Sequence, residues 1–170
     1  MASLTPNSAR VLQTVGLTTT AILAGVSASF SIYTVPRLLE SPTPLLLKQF
    51  KRMYESGHDS VPAGTVIAAT SFLALAYDSR AIGSNAWKGY VTAAALAVGI
   101  VPYTILLMLG TNKVLLEGAD QAETAEEKVE AKAASMKQLL DQWATLNLGR
   151  SLMLASAAVT ATWTALGRGI

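Results

Sequence analysis

The sequence predicts an all-α membrane protein. It reads as a bundle of four transmembrane helices, with an amphipathic connector helix at about residues 44–56 and a long solvated helical extension before the fourth span. Three observations predict this class. The 170 residues are 51% hydrophobic and only 14% charged, where soluble domains average roughly 25% charged residues. Aromatic residues make up only 6%, so the apolar content is aliphatic and small. Finally, the charges are spaced so that four uncharged windows remain. There are 26 uncharged residues between Arg10 and Arg37, 18 between Asp59 and Asp78, 24 between Lys88 and Lys113, and 17 between Arg150 and Arg168. A bilayer core of about 30 Å takes roughly 20 helical residues, with a range of about 17–25. All four windows qualify, the second and fourth near the lower limit. The spans fall at about 11–35, 61–77, 89–111 and 147–167, in a single membrane domain covering 1–170. A soluble bundle of unusually apolar helices competes with this reading but accounts less well for the window lengths.

Composition also narrows the chemistry. The chain has no Cys and one His, which removes disulfides, thiolate metal sites and a Cys nucleophile and leaves too few imidazoles for an ordinary His-based zinc or di-iron site. The net charge of +2 is small and no basic patch is interleaved with aromatics, so no nucleic acid partner is expected.

The first span runs from Val11 to Val35 and is expected to end at Pro36. Thr20, Ala24, Ser27, Ser31 and Thr34 follow a helical stripe of small and hydroxyl residues, and Gly25 and Ser29 form a small-xxx-small pair. Such residues let helices pack closely in lipid; the hydroxyls near Thr34 are the functional remainder. The stretch also has features of a signal peptide, with Arg10, an apolar run and small residues around Ser27 to Ser29. A retained helix fits better, because uncharged sequence continues past that point.

Pro42 and Pro44 open the connector. From Leu45 to Tyr54 an apolar face of Leu45, Leu46, Phe50, Met53 and Tyr54 opposes Lys48, Lys51 and Arg52, the pattern of a helix that lies in an interface or caps a bundle. Gly57 is expected to end it, followed by His58. The second span then opens with Pro62 in its first turn. Gly83-Ser-Asn85 marks a turn, and Trp87 and Tyr90 stand where an interfacial aromatic belt is expected. The third span carries Pro102 deep inside, which permits a kink. Tyr103 follows, and Thr104, Met108, Thr111 and Asn112 lie on one side near its end. Residues 113–142 are rich in Ala, Glu and Lys, with a partial apolar stripe of Val129, Met136, Leu139 and Leu140. This is the solvated helix, and it can run without a break into the fourth span.

The fourth span begins with Trp143-Ala-Thr-Leu-Asn147-Leu-Gly-Arg150. On a helix Trp143, Asn147 and Arg150 sit at i, i+4 and i+7, on one face. Polar groups at membrane depth are costly and usually face a bundle interior or a wet cavity. A four-span topology places Thr34, His58, Asn112, Trp143, Asn147 and Arg150 at one end of the bundle, and sites between bundle helices are common. The plainer account is that these residues anchor helix ends: a snorkelling Arg150, an interfacial Trp143 and a capping Asn112.

These pieces together resemble the small membrane proteins of the fungal anthrone oxygenase type. The resemblance rests on Tyr33-Thr-Val-Pro36, on Gln49-Phe-Lys-Arg-Met-Tyr54-Glu-Ser-Gly-His58 with Pro62, on Pro102-Tyr-Thr104 leading to Thr111-Asn112, and above all on Trp143-xxx-Asn147-xx-Arg150. Phe50 stands where the family pattern suggests a larger aromatic. The resemblance implies a cofactor-independent oxygenase that converts the central methylene of a tricyclic polyketide anthrone to a carbonyl with molecular oxygen, giving an anthraquinone. Under that implication His58 is the natural base, Arg150 and Asn147 are donors to an enolate oxygen, and Trp143 completes the catalytic set. Trp143 and Tyr103 or Tyr54 would stack on the planar substrate; Tyr54, Tyr103, Asn112, Thr34 and Met108 make up the substrate-binding set, with no metal.

Two other functions remain open on the same sequence. One is an enzyme of this scaffold acting on another hydrophobic secondary metabolite by proton transfer. The other is a non-enzymatic membrane assembly module. The implied partners are a lipid bilayer, an aromatic small molecule and molecular oxygen, with an oligomer left open. The implied location is integral and multi-pass; the endoplasmic reticulum is compatible with it, and no residue names the organelle.

Overall fold

The computed structural model describes residues 4–124 and 126–167, and the described residues are helical with short turns and no strand. Four long helices and one short one follow in order: α1 Pro6–Leu39, α2 Thr43–Ala81, α3 Ala86–Thr124, α4 Glu126–Glu130 and α5 Ala133–Leu166. The first three, of 34, 39 and 39 residues, are long and apolar enough to cross a membrane. Thirty-nine residues rise roughly 58 Å at 1.5 Å each, so α2 and α3 exceed a bilayer core.

That excess length corrects several expectations. The connector helix is not a separate element, because α2 runs through Gly57 and Pro62 without a stop. A helical proline omits one rung of the hydrogen-bond ladder, and the rungs on either side carry the helix across. Pro36 does not end the first helix either. A π turn, Phe30–Thr34, precedes it, with the Val35 N–H bonded five residues back to the Phe30 carbonyl. The extra residue resets the register, so Pro36 falls at the start of the α-helical segment Val35–Leu39, where a missing N–H costs least. In α3 a second π turn, Thr104–Met108, follows Pro102, and Leu109 N–H bonds to the Thr104 carbonyl. Because α3 continues to Thr124, Asn112 lies within the helix and does not cap it. The solvated extension is not one helix: residues 113–124 continue α3, Glu126–Glu130 form α4, and only from Ala133 does it run unbroken into the last apolar stretch as α5.

The chain packs as two compact units. The first comprises the described residues up to Gly25, Val61–Pro102 and those from Ser151 onward. Its core holds Phe72, Leu75, Tyr90 and Ala93 in one cluster, and Leu23, Ala97, Ile100 and Leu154 in another. Glycines permit the close approaches: a Cβ on Gly16 would fall 2.7 Å from the Phe72 ring, and one on Gly89 would overlap the Thr164 hydroxyl. The α2–α3 turn is closed by Gly83 at φ +74°. Ser84 N–H bonds to the Ser79 carbonyl and Gly83 N–H to that of Arg80, the pairing of a Schellman motif. Tyr90 is not an interfacial aromatic: it is buried, and its hydroxyl accepts a hydrogen bond from Gln13 Nε2 at 2.9 Å. Trp87 is half-buried beneath the Arg80 guanidinium, 5.2 Å from its ring centre.

The second unit comprises Val26–Ser60 and Tyr103–Arg150. Leu46, Leu47 and Phe50 of α2 pack with Met108 and Leu115 of α3 and with Met136, Leu140 and Trp143 of α5. The amphipathic reading of α2 therefore holds, although Leu45 is exposed and Leu47 takes the buried place. Val129, Met136 and Leu140 are buried as the stripe predicts, with Leu139 packed against them.

Candidate active site

All nine residues singled out from sequence lie in the second unit. They form an inner buried group and an outer groove.

The inner group is organised along one face of α5. Trp143 is buried; its Nε1–H donates to Asn112 Oδ1 at 2.8 Å, and its ring meets Phe50 edge to face at 5.2 Å. One turn on, Asn147 is 2% exposed. Its Nδ2 donates to the Ser27 carbonyl at 2.8 Å and to Ser31 Oγ at 3.0 Å, while its Oδ1 accepts from Ser27 Oγ at 3.1 Å. Both carboxamide donors are therefore engaged by α1. Tyr103, from α3, donates its hydroxyl to the Leu146 carbonyl at 3.1 Å. The hydroxyl lies against Gly149, where a Cβ would overlap it. Met108 is fully buried in the same core. Thr34 sits in the π turn of α1 and is half-buried, its Oγ1 directed to the Ser29 carbonyl at 3.5 Å.

Arg150 completes the face. It is half-buried and lies within electrostatic range of the Tyr54 and Tyr103 phenols. Its Nε is buried and has no hydrogen-bond partner. A buried guanidinium nitrogen without an acceptor is unusual, because leaving a donor unpaired costs about 1–3 kcal/mol. The arrangement offers an N–H to an oxygen that carries negative charge.

The outer groove has a volume of about 450 Å³ and is lined by Lys51, Tyr54, Glu55, His58, Leu116 and Asp120. His58 is exposed, one turn from Tyr54, with ring centres 5.8 Å apart. Tyr54 in turn tilts against Phe50 at 6.1 Å. Tyr54 thus belongs to both groups: it lines the groove with His58 and lies near Arg150. Across the groove Lys51 Nζ bonds to Asp120 Oδ1 at 2.7 Å and approaches Glu123 at 3.7 Å. The Asp120 hydrogen bond raises the Lys51 pKa above the ordinary lysine value, so the ammonium stays charged at neutral pH.

Sequence reasoning identified the face of α5 but missed its partners. Ser27 and Ser31 stood out only as small residues permitting close packing, and Lys51, Glu55, Leu116 and Asp120 did not stand out as a set. The i, i+4 spacing of Leu116 and Asp120 on a helix beyond the third span is the one available signal, and it is a weak one.

Comparison with known proteins supplies the family. Residues 50–160 match the family model described as anthrone oxygenase. Anthrone oxygenase AgnL2 of Paecilomyces divaricatus is 31% identical over 150 residues, covering 86% of this chain and 90% of that protein. Anthrone oxygenase gedH of Aspergillus terreus is 32% identical over 146 residues, covering 84% and 91%. Noranthrone monooxygenase of Aspergillus flavus is 27% identical over 147 residues, covering 85% and 69%. No solved structure matches. The matched segment contains eight of the nine residues, all but Thr34, and the chain belongs to the anthrone oxygenase family.

Proposed function

We propose that the protein oxidises an anthrone-type polyketide at its central methylene with molecular oxygen, giving the anthraquinone. The observation that carries this reading is the buried, unpartnered Nε of Arg150, with Tyr54 and Tyr103 within electrostatic range of the side chain, in a chain whose relatives are named anthrone oxygenases. A phenolic anthrone supplies its own electrons once it is deprotonated. His58, at the groove, takes a proton from the methylene. The resulting enolate places its charge on the carbonyl oxygen, where Arg150 donates. The carbanion carbon reduces dioxygen and bonds to it; with one proton this gives a hydroperoxide. Loss of the remaining C–H proton with cleavage of the O–O bond leaves the carbonyl and releases water. No external reductant enters this balance. Tyr54 supplies an aromatic wall to the substrate, and Trp143, Met108, Thr34 and Asn112 support the site from the protein side.

The same reading places four spans in a bilayer, at about 11–35, 61–77, 89–111 and 147–167, with the endoplasmic reticulum as a compatible membrane. The fourth is supported by an apolar stripe on α5, where Leu152, Val159, Trp163 and Leu166 are each more than half exposed. These four recur at helical spacing, and exposed side chains of that size suit lipid.

The test is a panel of anthrones offered to membranes holding the full chain, with oxygen isotopically labelled. The expected result is quinone formation faster than the spontaneous oxidation, with one labelled atom in the new carbonyl and the other in water. His58→Ala should slow turnover by roughly 10²-fold; undiminished turnover would remove His58 as the base. A product formed without oxygen uptake would point to the proton-transfer enzyme instead.

A further inference from the structure

We infer that Asn147, Tyr103 and Ser31 are positioning residues that aim Arg150 at the anionic form of a planar polycyclic phenol; this rests on the function proposed above. The turn of α5 carrying Arg150 is held from two sides. From α1, Ser27 and Ser31 take up both carboxamide donors of Asn147, and the Ser27 hydroxyl returns a bond to its oxygen. From α3, the Tyr103 hydroxyl donates to the Leu146 carbonyl, four residues before Arg150. Gly149 allows that approach, since a Cβ there would overlap the phenol oxygen. Ser31 itself lies in the π turn Phe30–Thr34, a departure from α-helical register that recurs at functional sites.

This arrangement changes the roles of two residues. With both N–H groups engaged, Asn147 has none for a substrate oxygen, and the Tyr103 hydroxyl proton is likewise directed at backbone. What these bonds achieve is a fixed turn with one buried donor left over, Arg150 Nε. A donor stabilises developing charge well only when it needs no reorganisation to meet it, and a flexible arginine gains that property from the residues around it. The titratable groups near Arg150 are the phenols of Tyr54 and Tyr103, on α2 and α3, and the anion assigned to it is the ligand's.

The experiment titrates a coloured hydroxyanthraquinone bound to the full chain in lipid nanodiscs, reading phenol ionisation by visible absorption. The pH profile of kcat for anthrone oxidation is measured beside it, per folded protein. Ser31→Ala and Tyr103→Phe should move the bound ionisation and the acid limb of kcat about one pH unit alkaline, a roughly tenfold loss of turnover below the limb, with KM within about twofold. Ser31→Thr keeps the hydroxyl and should behave as wild type. If the variants reduce only the yield of folded protein, with ionisation and acid limb unmoved, the positioning roles are overturned while the oxygenase reading stands. If wild type forms no quinone but the bound ionisation still depends on Ser31 and Tyr103, the oxygenase reading falls and the positioning roles survive. No ionisation change on binding to wild type would overturn the positioning roles, whatever the turnover.

Discussion

The two units bury polar side chains in different ways. In the first, Thr20, Thr65, Ser71 and Ser79 are buried, and each hydroxyl donates to the carbonyl four residues earlier in its own helix. Ser151, bonded to the Ala24 carbonyl, Gln13, bonded to Tyr90, and Asp78, which accepts from the Leu4 N–H, are exceptions. In the second unit buried polar groups bond between helices, as Asn147 does to Ser27 and Ser31, Trp143 to Asn112, and Tyr103 to Leu146, while the buried Thr43 hydroxyl has no partner. A hydroxyl satisfied by its own helix asks nothing of its neighbours and merely permits close packing. A carboxamide or indole has too much hydrogen-bonding capacity for that, so it must find partners on other elements. Such groups mark where a helix bundle has been built to hold something in one geometry.

The largest effect that would break this comparison is at Arg150. Arg150→Met removes the buried, unpartnered guanidinium nitrogen of the second unit. We expect turnover to fall on the order of 10²–10³-fold, while thermal stability in lipid holds or rises because an unpaired buried donor has gone. Quinone formation and unfolding temperature, measured on one preparation, check both halves. A loss of stability with unchanged turnover would make Arg150 an anchor, as a snorkelling residue is.

How much of this could be read from the chain depends on the kind of signal. The charge gaps mark apolar helices directly, and α1, α2 and α3 follow. The ends of the helices were not legible. Pro36, Gly57 and Pro62 are each breakers by local rule, yet π register absorbs the first and the helix simply continues through the other two. Local propensity is a weak prior against a long ladder held by packing. The face Trp143, Asn147, Arg150 was legible because it lies on one helix and obeys its period. The residues that face it from α1 and α3 were not, since a serine that packs and a serine that accepts a carboxamide proton look alike in sequence. Tyr90 shows the converse: its place near a span end suggested an interface, but Gln13 reaches it at 2.9 Å and it is buried.

A middle-sized effect tests whether the second unit's bonds between helices matter individually. Asn112→Leu leaves Trp143 Nε1–H buried without its acceptor, now at 2.8 Å. The expected cost is about 1–3 kcal/mol of stability, and Asn112→Leu with Trp143→Phe should recover most of it, because replacing both partners by apolar groups is nearly neutral. Denaturant unfolding in detergent measures the cycle. Additive losses would mean the bond contributes nothing beyond packing.

The smallest effect belongs to the first unit and gives the comparison its control. Ser71 is buried, and its hydroxyl donates to the Ile67 carbonyl at 2.8 Å. That carbonyl has a second lone pair and already receives the helical N–H four residues on. Ser71→Ala therefore removes a donor and leaves its former acceptor satisfied, so the full penalty of an orphaned group does not arise. Alanine is also the better helix former. The expected change is within about 0.5 kcal/mol of stability, with anthrone turnover unaltered. A serine-to-alanine change of the same chemistry at Ser31 should act on turnover, because there the hydroxyl is the acceptor for another helix. If Ser71→Ala were as damaging as Ser31→Ala, the direction in which a buried hydroxyl bonds would cease to separate packing from function.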